Sequence, residues 1–164
     1  MSVVAVRVTD KQIIVAADSI LCRGWSKSTK GDFTKINKDN GMIIGAVGSA
    51  QEASLMWHYM STHKPSAPNN KAILEFIIEF ARWKHDLGSG SDIKNDYIVA
   101  FSGKAFLVNN MFVNEISSYE AIGAGEDYAN AALYLGHSPK EAVKVACALC
   151  CYVSEPILEY TMGI

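Results

Sequence analysis

The order of predicted elements indicates an α+β fold in which two antiparallel sheets pack face to face between layers of helices. Short apolar runs rich in β-branched residues are typical of buried strands, and here they come in pairs joined by turn signals. The order along the chain is strands, two helices, strands, two helices and a strand. Because hairpins pair antiparallel, this order favours stacked antiparallel sheets over a doubly wound parallel one. We expect residues 1–164 to form a single domain.

The first hairpin is the most distinct element. Residues 3–8 and 12–17 are apolar runs of about six residues, and Thr9-Asp10-Lys11 lies between them as the turn. A strand that begins so close to Met1 places the chain terminus inside the fold, and we expect no leader segment before it.

Further strands follow the same pattern. Residues 34–37 and 42–47 form a second predicted hairpin around Asn40-Gly41, a strong turn signal. The polar, glycine-punctuated segment 19–32 is predicted to be a loop with one short strand. The remaining strands are predicted by similar runs, at residues 97–102, 104–108, 111–113 and 157–162.

Two helices are predicted in the middle of the chain. The first begins at Ser49, where Ser49-x-x-Glu52 is predicted to be a capping box, and continues to about His63. The second spans roughly residues 70–86, with apolar residues at helical spacing and either Trp83 or Lys84 on the core side.

Two more helices follow the second group of strands. The third is predicted from Gly125-Glu126 to Gly136, which suits the C′ position. The fourth begins with the capping box Ser138-Pro139-Lys140-Glu141 and continues to about Tyr152.

Composition excludes several classes of protein. The apolar content of 49% and the charged content of 20% are those of an ordinary globular domain. A net charge of −2 gives no electrostatic basis for nucleic-acid binding. No apolar stretch approaches the roughly 20 residues that span a bilayer. We therefore expect no membrane or nucleic-acid partner and a cytoplasmic location.

Cysteine and histidine spacing predicts neither disulfides nor a metal site. Three of the four cysteines, Cys147, Cys150 and Cys151, crowd into one apolar helical segment. The Cys147-x-x-Cys150 pair lacks the strand–turn context of a redox motif, so we interpret these residues as small buried hydrophobes. The four histidines have no paired ligand spacing.

Reactive groups converge on the first strand. Removal of Met1 would leave Ser2 with a free α-amine, and the hairpin brings Asp18 back beside it. Lys35 lies in the next apolar–polar run, Phe33-Thr34-Lys35-Ile36-Asn37. A hydroxyl, an amine, a carboxylate and an ammonium group can therefore meet at one place.

Several motifs in this order resemble the proteasome β-subunit and HslV-like family of N-terminal nucleophile hydrolases. They are Ser2-Val-Val-Ala-Val-Arg-Val, Ile13-Ile-Val-Ala-Ala-Asp-Ser19, Lys30-Gly31 with Lys35-Ile36, Gly45-Ala-Val-Gly48-Ser-Ala50 and Ala121-Ile-Gly-Ala-Gly125. The resemblance covers nearly the whole chain and implies a four-layer αββα sandwich of the N-terminal nucleophile hydrolase type.

The resemblance implies four site residues and no cofactor. Ser2 would be the nucleophile, with its own amine as the base. Lys35 would lower the pKa values of the hydroxyl and the amine, and Asp18 would hold Lys35 and balance its charge. The backbone N–H of Gly48 would donate to the oxyanion.

Each of these residues also has an ordinary structural interpretation. Asp18 suits a strand end, Lys35 an exposed edge strand, and Gly48 the start of a helix. The order and spacing of all of them together favour the catalytic interpretation. Gly123-Ala-Gly-Glu-Asp superficially resembles a dinucleotide loop, but Tyr128 replaces the third glycine and Glu126-Asp127 would repel phosphate.

The chain departs from the family pattern in three respects. The nucleophile is serine where the family normally has threonine, and Met1 must be removed to free its amine. A register shifted by one would place Met1 at the nucleophile position. In addition, Ala124 replaces a supporting serine, and the Asp-x-x-Ser pair of proteasomes is missing around Val153-Ser154-Glu155.

The function implied by the resemblance is hydrolysis of peptide bonds inside a self-compartmentalised homo-oligomeric ring. Its substrates would be peptides or unfolded proteins, and an ATP-dependent unfoldase would be a partner. Large apolar residues on several faces of the first two helices support assembly: Leu55, Trp57, Tyr59, Phe76 and Trp83. The alternative is a thick core within one subunit. The alternative function is a non-catalytic protein of the same fold with a structural or partner-binding role.

Overall fold

The computed structural model describes residues 2–23, 26–28 and 33–164 of the chain. Within these residues the first half of the chain forms six strands and two helices: β1 Val4–Val8, β2 Gln12–Asp18, β3 Leu21–Arg23, β4 Ser26–Ser28, β5 Ile36–Asp39, β6 Met42–Val47, α1 Ala50–Met60 and α2 Asn70–Asp86. The second half adds β7 Asp96–Phe101, β8 Lys104–Asn109, β9 Phe112–Ile116, β10 Tyr119–Ile122, α3 Glu126–Tyr134, α4 Pro139–Leu149 and β11 Ile157–Gly163.

Two antiparallel sheets form the centre of the fold, as the sequence predicts. The first has the strand order β10-β1-β2-β11 and the second the order β5-β6-β7-β8-β9. Both predicted opening hairpins are present, with Val6 opposite Val15 in the first and Asn37 opposite Ile44 in the second. Strand β11, the last along the chain, pairs with β2 and completes the first sheet.

Alternation along β1 explains the layers. Val4 and Val6 lie in a core between the two sheets, together with residues such as Ile43 of β6. Val3 and Ala5 point to the opposite face and pack under α3 and α4. Because successive strand side chains point to opposite faces, a strand that is apolar at every position must be covered on both sides.

The α1–α2 pair covers the outer face of the second sheet. Met42 and Ile44 of β6 pack there against residues that include Met56 of α1 and Phe80 of α2. The molecule therefore has four layers: α3–α4, the first sheet, the second sheet and α1–α2. This is the αββα sandwich that the resemblance implies.

Several element boundaries differ from the predictions. Helix α1 ends at Met60 and α4 at Leu149, each about three residues earlier than predicted. The predicted loop 19–32 contains two short strands, β3 and β4, in its described part. The capping box at Ser138–Glu141 is confirmed, since each partner's side chain accepts from the other's backbone N–H.

The large apolar residues of α1 and α2 belong to the core of the subunit. Tyr59 and Phe76 are buried, and Leu55, Trp57 and Trp83 pack against the same cluster. Five of the exposed large apolar side chains lie on or after α3 and α4: Tyr128, Tyr134, Leu135, Leu149 and Tyr152. Others among the described residues are Leu87, Met111, Phe112 and Ile164. Among the described residues, no helix combines the length and apolar character that a membrane span requires.

Candidate active site

A buried ion pair lies at the end of the opening hairpin. Lys35 Nζ is 2.7 Å from Asp18 Oδ2, and the two residues are 2% and 0% exposed. The same carboxylate accepts from the backbone N–H groups of Val3 at 2.8 Å and Ile20 at 3.4 Å. Among the described residues, three donors thus hold Asp18, and a buried carboxylate requires such partners. The ordinary interpretation of Lys35 as an exposed edge-strand residue is wrong.

Ser2 is fixed beside this pair through its backbone. It is 5% exposed, and its carbonyl oxygen accepts from the Gly125 N–H at 3.3 Å. A Cβ atom on Gly123, whose φ is +102°, would overlap the Ser2 carbonyl oxygen. The glycine-rich corner after β10 therefore supports Ser2 from one side, and Asp18 supports it through Val3 from the other.

Gly48 lies between β6 and α1 with an exposed backbone. Its φ of +128° is outside the range that other residues adopt readily, and a Cβ atom there would overlap Asn95 Oδ1. Ser49, the N-cap of α1, follows directly and accepts from the Glu52 N–H through its side chain. The N–H of Gly48 thus lies at a helix N-terminus, where the backbone dipole favours negative charge.

A cavity of about 80 Å³ connects three of the four predicted site residues. Ser2, Lys35 and Gly48 line it, and Asp18 lies behind Lys35. Its other lining residues are mostly apolar: Ile20, Leu21, Phe33 and Ala50. The structure therefore brings Ser2, Asp18, Lys35 and Gly48 to one place. The Lys30-Gly31 motif and Met1, including the shifted register that would put Met1 at the nucleophile position, lie outside the described residues.

Glu52 does not form the predicted capping box. Its buried carboxylate instead accepts from Tyr97 Oη at 2.8 Å and from the backbone N–H groups of Lys94 and Asn95 at 3.0–3.2 Å. Lys84 Nζ lies 3.0 Å away as its counter-ion, and Lys84 is 2% exposed. These partners satisfy the carboxylate more fully than the single N–H at the helix start would.

Asn95 was not predicted as a site residue. Its side chain accepts from the Ser49 N–H at 2.5 Å and donates to the Ser49 carbonyl at 3.0 Å. The only local signal was an asparagine before a strand, and the bonded residues are 46 positions apart in the sequence.

The late cysteines are not all buried hydrophobes as predicted. Cys147 and Cys150 are half-buried, whereas Cys151 is exposed, and all three are free. Burial raises the pKa of the Cys147 thiol to about 11, and the negative charges of Asp18 and Glu155 act in the same direction. A thiol with this pKa is a poor nucleophile at neutral pH.

An acidic side chain bonds a backbone N–H at the glycine-rich corner. The Glu126 carboxylate accepts from the Gly123 N–H at 2.9 Å, so that an acidic group already occupies this donor. The Ala124 carbonyl oxygen in the same corner accepts from the Cys150 thiol at 3.4 Å.

Solved structures of two kinds have the same fold. The chain aligns with BPH of Thiobacillus denitrificans in complex with epoxomicin at a TM-score of 0.85 and 20% identity, over 98% of both chains. A second structure of that BPH gives a TM-score of 0.86 and 20% identity, over 98% of this chain and 97% of that one. Eukaryotic HslV from Trypanosoma brucei gives a TM-score of 0.75 and 18% identity, over 99% of both chains.

No protein-family model matches the chain, and no curated protein matches it. At 18–20% identity, the solved structures show the fold alone, and any chemistry must be argued from the residues of this chain. The predicted resemblance to HslV-like proteasome-type proteins is confirmed at this level. The chain has the HslV-like αββα fold over nearly its whole length.

Proposed function

We propose that this chain is a peptidase of the proteasome β and HslV type in which Ser2 is the nucleophile after removal of Met1. The observation that carries the proposal is the buried Lys35–Asp18 pair beside Ser2, at a cavity that Gly48 also lines. A buried ammonium group is costly to desolvate. The pair is therefore best explained by a use of its positive charge next to the Ser2 hydroxyl.

The first chemical step uses groups of a single residue. The Ser2 hydroxyl oxygen forms a bond to the carbonyl carbon of the substrate, and the α-amine of Ser2 takes the hydroxyl proton. An α-amine has an ordinary pKa of about 7.7–8.0, so a useful fraction is neutral near pH 7. The amine then passes the proton to the leaving nitrogen as the C–N bond breaks. Water hydrolyses the resulting ester by the same route.

Lys35 and Gly48 would stabilise charge during these steps. The ammonium of Lys35 favours the deprotonated form of the hydroxyl, and Asp18 keeps that ammonium in position. The Gly48 N–H would donate to the negative oxygen of the tetrahedral intermediate. Removal of one such donor typically reduces kcat by about 10²–10³-fold.

Intact mass and peptide hydrolysis together test the proposal. We expect the purified natural protein to lack one methionine and to hydrolyse fluorogenic peptides. The apolar lining of the cavity supports peptides with an apolar residue before the cleaved bond as the first choice. Full retention of Met1 without hydrolysis would favour the non-catalytic alternative, a structural or partner-binding role.

Epoxomicin offers a probe that does not depend on the choice of peptide. The BPH structure contains it, and we propose that this chain binds it at Ser2. We expect epoxomicin to raise the melting temperature and to inhibit peptide hydrolysis over the same range of epoxomicin concentrations. A compound that raises Tm equally in a Ser2→Ala variant would bind elsewhere.

We also propose a closed homo-oligomer as the working form, with unfolded proteins as substrates and an ATP-dependent unfoldase as a partner. A peptidase of this kind in the cytoplasm must separate its sites from folded proteins. The exposed apolar residues of the α3–α4 layer supply surface of the kind that copies of a chain bury, and Tyr134 and Leu135 are 76% and 74% exposed.

Light scattering at micromolar concentration should therefore give a mass several times that of one chain, which is 17.9 kDa. The physical reason is that burial of apolar surface stabilises association. Sedimentation velocity over a tenfold dilution series serves as the control for non-specific aggregation. A single monomer peak at every concentration would contradict the ring.

A further inference from the structure

A buried polar cluster joins α1, α2 and the loop before β7 next to Gly48. Glu52 is 4% exposed, Lys84 2% and Asn95 1%, and Tyr97 is fully buried. Lys84 Nζ bonds both the Glu52 carboxylate and the Asp92 carbonyl oxygen. The cluster lies outside the cavity at Ser2, and the steps described above make no use of it.

Glu52 organises the loop. Its two carboxylate oxygens accept from the N–H groups of Lys94 and Asn95 and from the hydroxyl of Tyr97. Burial and the neighbouring negative charge of Glu52 raise the pKa of Tyr97, so its hydroxyl remains a donor. Because the carboxylate bonds two N–H groups of this loop, Tyr97 at the start of β7 and Lys84 of α2, it ties the loop to α1.

Asn95 transmits this order to the candidate oxyanion donor. Its amide oxygen accepts from the Ser49 N–H, which belongs to the Gly48–Ser49 peptide, and its NH2 group donates to the Ser49 carbonyl, which belongs to the next peptide. On the other side of Gly48, Val47 is paired with Asp96 in the ladder between β6 and β7. The Gly48 N–H therefore lies between two anchors, and both come from residues 95–96.

The same contact explains why Gly48 must be glycine. A side chain at this position would overlap Asn95 Oδ1, so Asn95 in its observed position leaves room only for glycine. Asn95 Oδ1 therefore lies against the backbone of Gly48.

We propose that Asn95, held by Glu52, is a positioning residue that aims the Gly48 N–H at the oxyanion; this rests on the function proposed above. Asn95 touches no substrate in this role. It acts on the transition state through Gly48, and ground-state binding of the peptide depends on the cavity instead.

Asn95→Ala should therefore lower kcat for a fluorogenic peptide by about 10- to 100-fold, up to the loss expected for one oxyanion donor, with KM changed by less than about threefold. Tyr97→Phe removes the hydroxyl that donates to the Glu52 carboxylate and keeps the buried aromatic ring. It is a milder variant that should fold and lower kcat by about 2- to 10-fold.

Asn69→Ala is the matched control. Asn69 caps α2 by accepting from the Ala72 N–H at 3.0 Å, and it contacts neither the loop nor Gly48 through any described hydrogen bond. Its loss lowers stability in the way that a lost cap does, with kcat unchanged. An equal drop in kcat in Asn69→Ala and Asn95→Ala would show a general effect of stability and overturn the inference.

Amide hydrogen exchange gives a second readout that needs no substrate. In Asn95→Ala, the Ser49 N–H loses its acceptor and should exchange at least about tenfold faster, with Ile43 and Ile44 of β6 unchanged. Unchanged exchange at Ser49, or an unchanged kcat in an active Asn95→Ala protein, overturns the positioning role and leaves the proposed function intact. A wild-type protein that lacks Met1 and hydrolyses no peptide overturns the proposed function itself.

Discussion

Ser2→Ala is expected to abolish peptide hydrolysis and to leave the fold and assembly intact. The hydroxyl is the group that would bond to the substrate, so no other residue of the site replaces it. Ser2 is small, and removal of its oxygen should change the free energy of unfolding by less than about 1 kcal/mol. Turnover of a fluorogenic peptide and the melting temperature are the two measurements. Undiminished turnover would falsify the mechanism.

Two serine variants make this test specific. Ser19 is also buried near the ion pair, 1% exposed, and its hydroxyl finds no hydrogen-bond partner among the described residues. Ser19→Ala should therefore keep both activity and stability, because it removes an unsatisfied polar atom. Ser2→Thr retains the nucleophilic hydroxyl and should retain hydrolysis. Loss of activity in Ser19→Ala would mean that the assignment of Ser2 as the nucleophile is wrong.

Lys35→Ala is expected to destabilise the protein by about 3–5 kcal/mol and to remove activity, because it leaves the Asp18 carboxylate buried without its counter-charge. The two remaining N–H donors, from Val3 and Ile20, do not supply a full positive charge. Denaturant unfolding measures the loss. A fully stable Lys35→Ala protein would contradict the burial of the pair.

Lys35→Met separates charge from packing. Methionine keeps most of the apolar stem of lysine, so a loss in stability similar to that of Lys35→Ala would be assigned to the charge. The exposed pair Lys104–Glu115 is the matched control, at 2.9 Å and with side chains 46% and 44% exposed. Lys104→Ala should cost less than about 1 kcal/mol, since solvent screens an exposed pair.

Local patterns in the sequence were sufficient for most of the fold. The apolar runs of β1 and β2, the Asn40-Gly41 turn and the Ser138–Glu141 capping box each involve residues close in the chain, and the structure contains all of them. The layer order followed as well, because a strand that is apolar at every position must be covered on both faces. The order of Ser2, Asp18 and Lys35 also indicated that these groups could meet.

The hydrogen-bond and ion-pair partners of the buried polar groups could not be predicted from local sequence patterns. Glu52 has the spacing of a capping box, yet its carboxylate bonds a loop more than 40 residues further along the chain. A buried carboxylate takes the set of donors that best offsets its loss of hydration, and only folding brings those donors together. For the same reason, helical periodicity did not distinguish whether Trp83 or Lys84 lies on the core side of α2. In the structure Lys84 is the more buried of the two.

What the sequence by itself determined is therefore most of the strands and all four helices, their layers and the residues that approach Ser2. Strand β10, which pairs with β1, was not predicted. The tertiary structure alone decided that Lys84 is the buried ion-pair partner of Glu52 and that Asn95 lies against Gly48. It also decided that the large apolar residues of α1 and α2 pack within their own subunit. Periodicity reports which face of an element is apolar, whereas hydrogen bonds and charges are satisfied by whichever groups the complete fold brings within 3 Å or so.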